Sequence, residues 1–176
     1  MVCKEKTLES EYIYKGKILS LRKDLVSVKD GNTSYREIVE HGGAVGIVCI
    51  DDEGKVILVK QYRKAVEKVL MEIPAGKIEG REQPYYCAIR ELEEETGVIS
   101  DEMIFLGEFY LSAGFSSEKM YLYFCKVKKQ GLQKLDGDED LEILRLDYEK
   151  ALEMVYNDEI SDAKTAIGIM LSKKYI

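Results

Sequence analysis

The chain has 176 residues, enough for one domain with a proper core or for a compact domain with an appendage. Its 45% hydrophobic and 34% charged residues describe a globular protein rather than a disordered one. The formal net charge of −7 argues against binding nucleic acid through its phosphates and suits a protein that recruits cations.

The four cysteines, Cys3, Cys49, Cys87 and Cys125, stand far apart with no C-x-x-C pair, so neither a zinc site nor a disulfide framework is expected. They read as small, largely buried thiols. One histidine, His41, rules out a His-rich metal site and argues against a Ser-His-Asp triad. No apolar run approaches the ~18 residues that cross a membrane. The start, "MVCKEKTLESEY", has no apolar signal region, so a cytoplasmic location is expected.

Residues 11–29 and 33–40 alternate apolar and polar positions and read as strands of an antiparallel meander, turning at Asp30-Gly31-Asn32. "EHGGA" near 40–43 is the one plausible boundary, separating an N-terminal β region (1–41) from the remainder (42–176). "AVGIVCI" (44–50) and "KVILVKQY" (55–62) are apolar strands joined by the turn Asp51-Asp52-Glu53-Gly54. A short extended piece, Leu70 to Ile73, leads into Pro74-Ala75-Gly76. A helix is predicted from about Gln83 to Thr96, with Pro84 in its first turn and Gly97 as the left-handed residue after its end. Tyr85, Ala88, Ile89, Leu92 and Thr96 fall on its buried stripe. Strands at 103–111 and 119–127 follow, then a polar loop at 128–140. A last strand (141–146) precedes helices near 147–157 and 161–173.

Within the first helix, four of the five residues Glu91–Glu95 are glutamate. A solvated helix face is the bland explanation. Two features oppose it. The run lies in the C-terminal half, where the macrodipole disfavours carboxylates, and Glu91 repels both Glu94 and Glu95 at helical spacing. A divalent cation would supply the missing charge, since hard cations take carboxylate oxygens together with substrate phosphates. Arg90 points elsewhere, where it could fix a glutamate rotamer. The loop from Ala75 to Arg81 could bring a backbone carbonyl and Glu82 to the same place.

Gly76, five residues, Glu82, seven residues, then "RELEEETGV" (90–98) resembles the Nudix box at every fixed position. The resemblance implies a Nudix fold of the α/β (α+β) class, a mixed β-sheet sandwiched between helices, here with the N-terminal meander added. "REIVEHGGAV" (36–45), "VKQYR" (59–63), "EIPAGKIE" (72–79) and "FYLSAGFSSEKMYLYFC" (109–125) are similar to the ADP-ribose pyrophosphatase branch of that family. Members of the branch are typically homodimers with swapped N-terminal strands.

By that resemblance, Glu91 and Glu95 are the principal metal ligands, Ala75 lends a carbonyl, and Glu82 and Glu94 help hold metal or its waters beside Arg90. Arg36, Glu37 and Arg63 contact the nucleotide or its phosphates. His41, Lys77, Gly114 and Glu118 line the substrate pocket. Glu139, in "LDGDEDLEI", resembles a glutamate on a mobile loop that joins the metals or activates water. The branch usually has proline where this chain has Ala113, and often a second glutamate where it has Gly137, so Glu139 acts alone or with Asp138 or Asp140.

The implied reaction is Mg²⁺-dependent hydrolysis of the pyrophosphate of ADP-ribose or a related nucleoside diphosphate sugar, with Mn²⁺ as a substitute. For ADP-ribose the products are AMP and ribose 5-phosphate. Two alternatives stay open: a Nudix hydrolase for another nucleotide, such as another nucleotide sugar or an oxidised dNTP, and a non-catalytic nucleotide-binding regulatory module. An incomplete box would favour the latter; the box here is intact.

Overall fold

The computed structural model describes residues 3–100, 102–135, 137 and 139–176. It divides into two compact units, one made of residues up to Gly43 with Tyr110–Lys119, the other of Ala44–Phe109 with Met120–Ile176.

In the first unit the alternating pattern forms a three-stranded antiparallel sheet, β1 (Lys6–Lys15), β2 (Leu19–Ser27) and β3 (Thr33–His41). β2 and β3 turn through a short 3₁₀ segment, Lys29–Gly31, where Asp30 takes φ 62° and Gly31 φ 77°. The first strand starts five residues before the alternation begins in the sequence, because its opening is largely polar. All ten of its residues are exposed, apolar ones such as Leu8, Tyr12, Ile13 and Tyr14 included. Bulges between Thr7 and Glu9 and between Tyr12 and Tyr14 interrupt its pairing with β2.

The second unit is built on β4 (Ala44–Ile50), β5 (Lys55–Arg63), β6 (Lys68–Glu72), β7 (Ala75–Lys77), β8 (Val98–Ile99), β9 (Ile104–Tyr110), β10 (Lys119–Lys126), β11 (Lys129–Gln130) and β12 (Leu141–Asp147). Its helices are α1 (Pro84–Thr96), α2 (Tyr148–Tyr156) and α3 (Ala163–Ser172). The main sheet runs β12-β5-β4-β10-β9, with β6 on β5 and β7 on β4. The sheet is mixed, because β4 and β10 are parallel while β4–β5 and β5–β12 are antiparallel.

All seven residues of β4 are buried, which is why "AVGIVCI" reads as unbroken apolar sequence rather than alternation. Val45, Ile47 and Cys49 pack with Cys87, Ala88 and Leu92 of α1 in one core cluster. On the opposite face, Val48 lies so near Gly168 of α3 that a Cβ there would come within 2.9 Å of it. The sheet is therefore covered on both sides, as the resemblance implies. Three cysteines, Cys49, Cys87 and Cys125, are buried, and Cys3 is exposed. Cys49 and Cys125 are register partners on β4 and β10. The neighbouring Cys125 thiol and burial together push the Cys49 thiol far above the ordinary range.

Candidate active site

The helix that carries the glutamates begins with Pro84 and stops at Gly97, whose φ of 70° and close approach to the Gly131 carbonyl both demand glycine. Ala88, Leu92 and Thr96 form the buried stripe as expected, with Tyr85 and Ile89 packed at its margin. Cys87 joins it. So do Glu91 and Glu95, at 9% and 3% exposure. The α1 stripe thus brings two carboxylates down against the sheet.

Glu95 accepts one hydrogen bond from the Ala75 N–H, 3.0 Å away. Burial pushes its pKa up to about 8; the Ala75 amide opposes this, while the charges of Glu91 and Glu139 add to it. Burial likewise raises Glu91, although Arg90 lies 2.8 Å from its Oε1 and pulls the other way. Glu91 rests on bare backbone: a Cβ on Gly76 would stand 1.9 Å from the Glu91 Cδ. The glycine of the "PAGK" turn is there because the carboxylate occupies the side chain's place.

Arg90 gathers the remaining carboxylates. Its Nε and Nη2 donate to the two oxygens of Glu82 at 3.1 and 2.9 Å, and its Nη1 donates to Glu91 and Glu94, each at 2.8 Å. The Nη2 also reaches the Lys77 carbonyl at 3.3 Å. Hydrogen bonding to Arg90 holds the Glu82 carboxyl below its usual range. One guanidinium therefore partly neutralises three glutamates, whereas Glu95 has no cation in contact among the described residues.

Of the other residues expected here, Glu139 is half-buried and close enough to raise both Glu91 and Glu95. Asp138 lies outside the described residues, and Asp140 is exposed. Arg63 faces Glu95 closely enough to counter its shift, but its guanidinium is already clamped bidentately by Glu72, with both contacts at 2.7 Å. Lys77 is exposed on β7.

Arg36, Glu37, His41, Gly114 and Glu118 belong to the first unit. Arg36 donates its Nε to Glu5 at 2.9 Å and its Nη1 to Ser34 and the Tyr35 carbonyl. Glu37 is exposed opposite Lys23. His41 Nδ1 accepts from the Gly43 N–H at 3.1 Å, so its neutral ring carries the proton on Nε2, and Glu118 lies 3.9 Å from that Nδ1. Gly114 is exposed, and a Cβ there would meet nothing.

Two features next to the carboxylates escaped sequence reasoning. Glu72, only 1% exposed, binds Lys164 of α3 as well as Arg63, and Lys164 also contacts Asp162 at 3.0 Å. Asp162 in turn caps α3 by accepting the Thr165 N–H, while the Thr165 hydroxyl accepts from the Ile73 N–H. Burial would raise Glu72, but Arg63 and Lys164 outweigh it and hold the carboxyl below its usual range. Second, the segment after β10 returns to cap the end of α1: Gln130 and Gln133 side chains and the Lys134 N–H donate to its last carbonyls. The only sequence hint is two glutamines inside the lysine-rich run "KVKKQGLQK".

Among the described residues, no group of three or more His, Cys, Asp or Glu side chains is already arranged to hold an ion. The donor set nevertheless fits a hard divalent cation: two buried carboxylates, one of them pushed up to about 8 chiefly by burial, beside a bare glycine backbone. Glu82 and Glu94 would have to turn from Arg90 to add to it.

A mixed sheet between helices, with an acidic helix packed on a glycine turn, is an arrangement that can hold a divalent cation. Comparison with known proteins gives the family. The model described as the NUDIX domain matches residues 40–165, and that of the nucleoside diphosphate sugar hydrolase N-terminal domain matches 5–39. The chain belongs to the Nudix family and is a Nudix hydrolase. It is 42% identical over 167 residues to an ADP-ribose pyrophosphatase of Bacillus subtilis (strain 168), covering 94% of this chain and 90% of the relative. Over the same shares it is 43% identical to a methanol dehydrogenase activator of Bacillus methanolicus. A crystal structure of an ADP compounds hydrolase superposes with a TM-score of 0.86 over 99% of this chain and 95% of its own, at 22% identity, so the fold is shared. Proteins of this family generally use divalent metal cations. Among the described residues no helix is long and apolar enough to cross a membrane.

Proposed function

We propose that this hydrolase cleaves the pyrophosphate of ADP-ribose, or of a closely related nucleoside diphosphate sugar, with Mg²⁺ bound at α1. The observation that carries the reading is the pair of buried carboxylates on α1, Glu91 and Glu95, at 9% and 3% exposure, with Glu91 seated on the bare backbone of Gly76; burial pushes both upward. Likeness to the Bacillus subtilis pyrophosphatase supports the choice of substrate.

Glu91 and Glu95 would hold the cation, with the Ala75 carbonyl, Glu82 and Glu139 as further oxygen donors. A divalent cation there would supply charge neutralisation for the diphosphate and a more acidic water. Arg90 keeps Glu82, Glu91 and Glu94 in fixed rotamers until they are needed. Glu139 takes the proton of the attacking water as a new P–O bond forms and the bridging P–O bond breaks, releasing AMP and ribose 5-phosphate. Arg63, its planar guanidinium oriented by Glu72, presents its outer edge to a phosphate, a contact lysine would not reproduce. Lys77 contacts the nucleotide; Arg36, Glu37, His41, Gly114 and Glu118, all of the first unit, keep the roles that the resemblance implies. Residues 1–41 form a separate region that exchanges between copies of a homodimer; the exposed apolar residues of β1 support this.

Incubation with Mg²⁺ and a panel of nucleotides, followed by chromatography, tests the reading. AMP released from ADP-ribose supports it. Turnover of dNTPs alone, or binding without turnover, defeats it. A second reading, that hydrolysis serves to activate a dehydrogenase, rests on likeness to the Bacillus methanolicus protein. A methanol dehydrogenase whose rate is unchanged on adding this chain with Mg²⁺ would sink it.

A further inference from the structure

An α-helix leaves its last four carbonyls without helical partners. In α1 these belong to Glu93, Glu94, Glu95 and Thr96, the stretch that carries the site. The Gly97 N–H serves Glu93 at 2.8 Å. The other three are served by one short segment: Lys134 N–H donates to Glu94 at 2.9 Å, Gln133 Nε2 to Glu95 at 2.6 Å and Gln130 Nε2 to Thr96 at 2.9 Å. The same segment donates the Gly131 N–H to the Gly97 carbonyl at 2.7 Å and sets Lys134 Nζ 3.0 Å from Glu93. Gln130 is held from behind, its Oε1 accepting from Arg145 of β12 at 2.9 Å.

Two properties of this arrangement exceed what helix capping needs. Cations are the usual partners at a helix C-terminus, yet the donors to Glu95 and Thr96 are neutral amides. They satisfy the carbonyls without bringing positive charge to the two buried carboxylates of α1. Secondly, Glu139 follows closely on Lys134 in the chain. At a reach of at most ~3.5 Å per residue, Glu139 cannot stand more than about 17 Å from the anchor, and its charge is felt by both Glu91 and Glu95. The carbonyls of the metal-binding turn and the start of the Glu139 loop are thus fastened by the same hydrogen bonds.

We propose that Gln130–Lys134 is a positioning strap, with Gln133 as its central residue, which sets the loop bearing Glu139 against the metal-binding turn of α1. The proposal rests on Glu139 being the group that receives the water's proton. Gln133 is a positioning residue: it touches neither substrate nor metal and acts through the loop.

The test is a double-mutant cycle on the full chain with Mg²⁺ and ADP-ribose, together with amide hydrogen exchange. Gln133→Met keeps the length and apolar reach of the side chain and removes the amide. It is expected to lower kcat about tenfold, with KM within about twofold, since misplacement of a reacting group acts mainly on turnover. Exchange across residues 135–140 should quicken while that of the first turns of α1 is unchanged. In a Glu139→Gln background the same substitution should change kcat by less than about twofold, because its target is already gone. An equal loss in both backgrounds, or a lowered melting temperature with kcat intact, would mean a cap and nothing more, and the proposal would be overturned. Unchanged exchange across 135–140 overturns it whatever the kinetics. Should Gln133→Met fail to fold, Gln130→Met enters the same cycle and is judged by the same outcomes. A Glu139→Gln enzyme with wild-type kcat defeats the assignment of the base itself, and the strap's role in turnover falls with it; that result is distinct from failure of the strap alone.

Discussion

Glu95 permits a quantitative experiment without any substrate. In the folded, metal-free chain its pKa is pushed from the ordinary 4.5 to about 8, chiefly by burial. Between those values the folded chain keeps a proton that the unfolded chain has lost, so the unfolded state binds fewer protons and stability falls as pH rises. At roughly 1.4 kcal/mol per pH unit, the whole interval is worth about 5 kcal/mol. Between about pH 5 and pH 9 the loss is about 4 kcal/mol. Glu95→Gln removes the titration while leaving an oxygen to accept the Ala75 N–H. Urea unfolding of both proteins in EDTA should therefore show the wild type losing about 4 kcal/mol relative to the variant over that pH range. Mg²⁺ should restore the wild type progressively more at higher pH and leave the variant almost unmoved, since a ligand stabilises only the state that binds it. A wild-type-minus-variant difference that is flat with pH would mean that Glu95 ionises freely when folded. The electrostatic argument for a cation at α1 would then be refuted.

Gly76→Ala drives a methyl group into the Glu91 carboxylate, 1.9 Å from its Cδ; calorimetry should find Mn²⁺ affinity reduced at least about tenfold, with the melting temperature little changed. Glu72→Leu leaves Arg63 half-buried without its carboxylate and Lys164 with Asp162 alone, and urea unfolding should show a loss of about 3 kcal/mol. In the wild type that carboxyl is held low, so the stability it contributes is present above pH 4.5 and is lost as pH falls further, which acid titration of wild type against Glu72→Gln reads directly. Leu92→Ala opens a hole beneath α1 where no side-chain area is exposed, at a cost of about 2–5 kcal/mol by the same unfolding assay.

What could be read in the sequence is what local chemistry decides. The first helix is bounded by Pro84 and Gly97, and the hairpin at 51–54 by its own turn residues, so both elements stand where they were expected. The carboxylates at 82, 91 and 94 converge on Arg90 because helical spacing and one short loop bring them there. Other features depend on contacts across the chain. β7, β8 and β11 have only two or three residues each and exist because β4 and one another are there to pair with them. The resemblance turns Arg63 toward phosphate; its clamp is Glu72, which is kept charged by Arg63 itself and by Lys164, 92 residues further on. Nothing in a pattern of hydrophobicity announces such a pairing. Hydrophobic periodicity marks no buried place for Glu91 and Glu95, because a carboxylate in that position is unfavourable until its counter-charge is counted, yet both are buried.

The placement of the four thiols gives the protein a built-in reporter. Cys3 should react with an alkylating reagent at once. Cys49 and Cys125, seated side by side on the central strands, should be modified only when those strands separate. Timed labelling read by mass spectrometry would then follow the opening of the sheet in the unaltered enzyme, free of any attached dye.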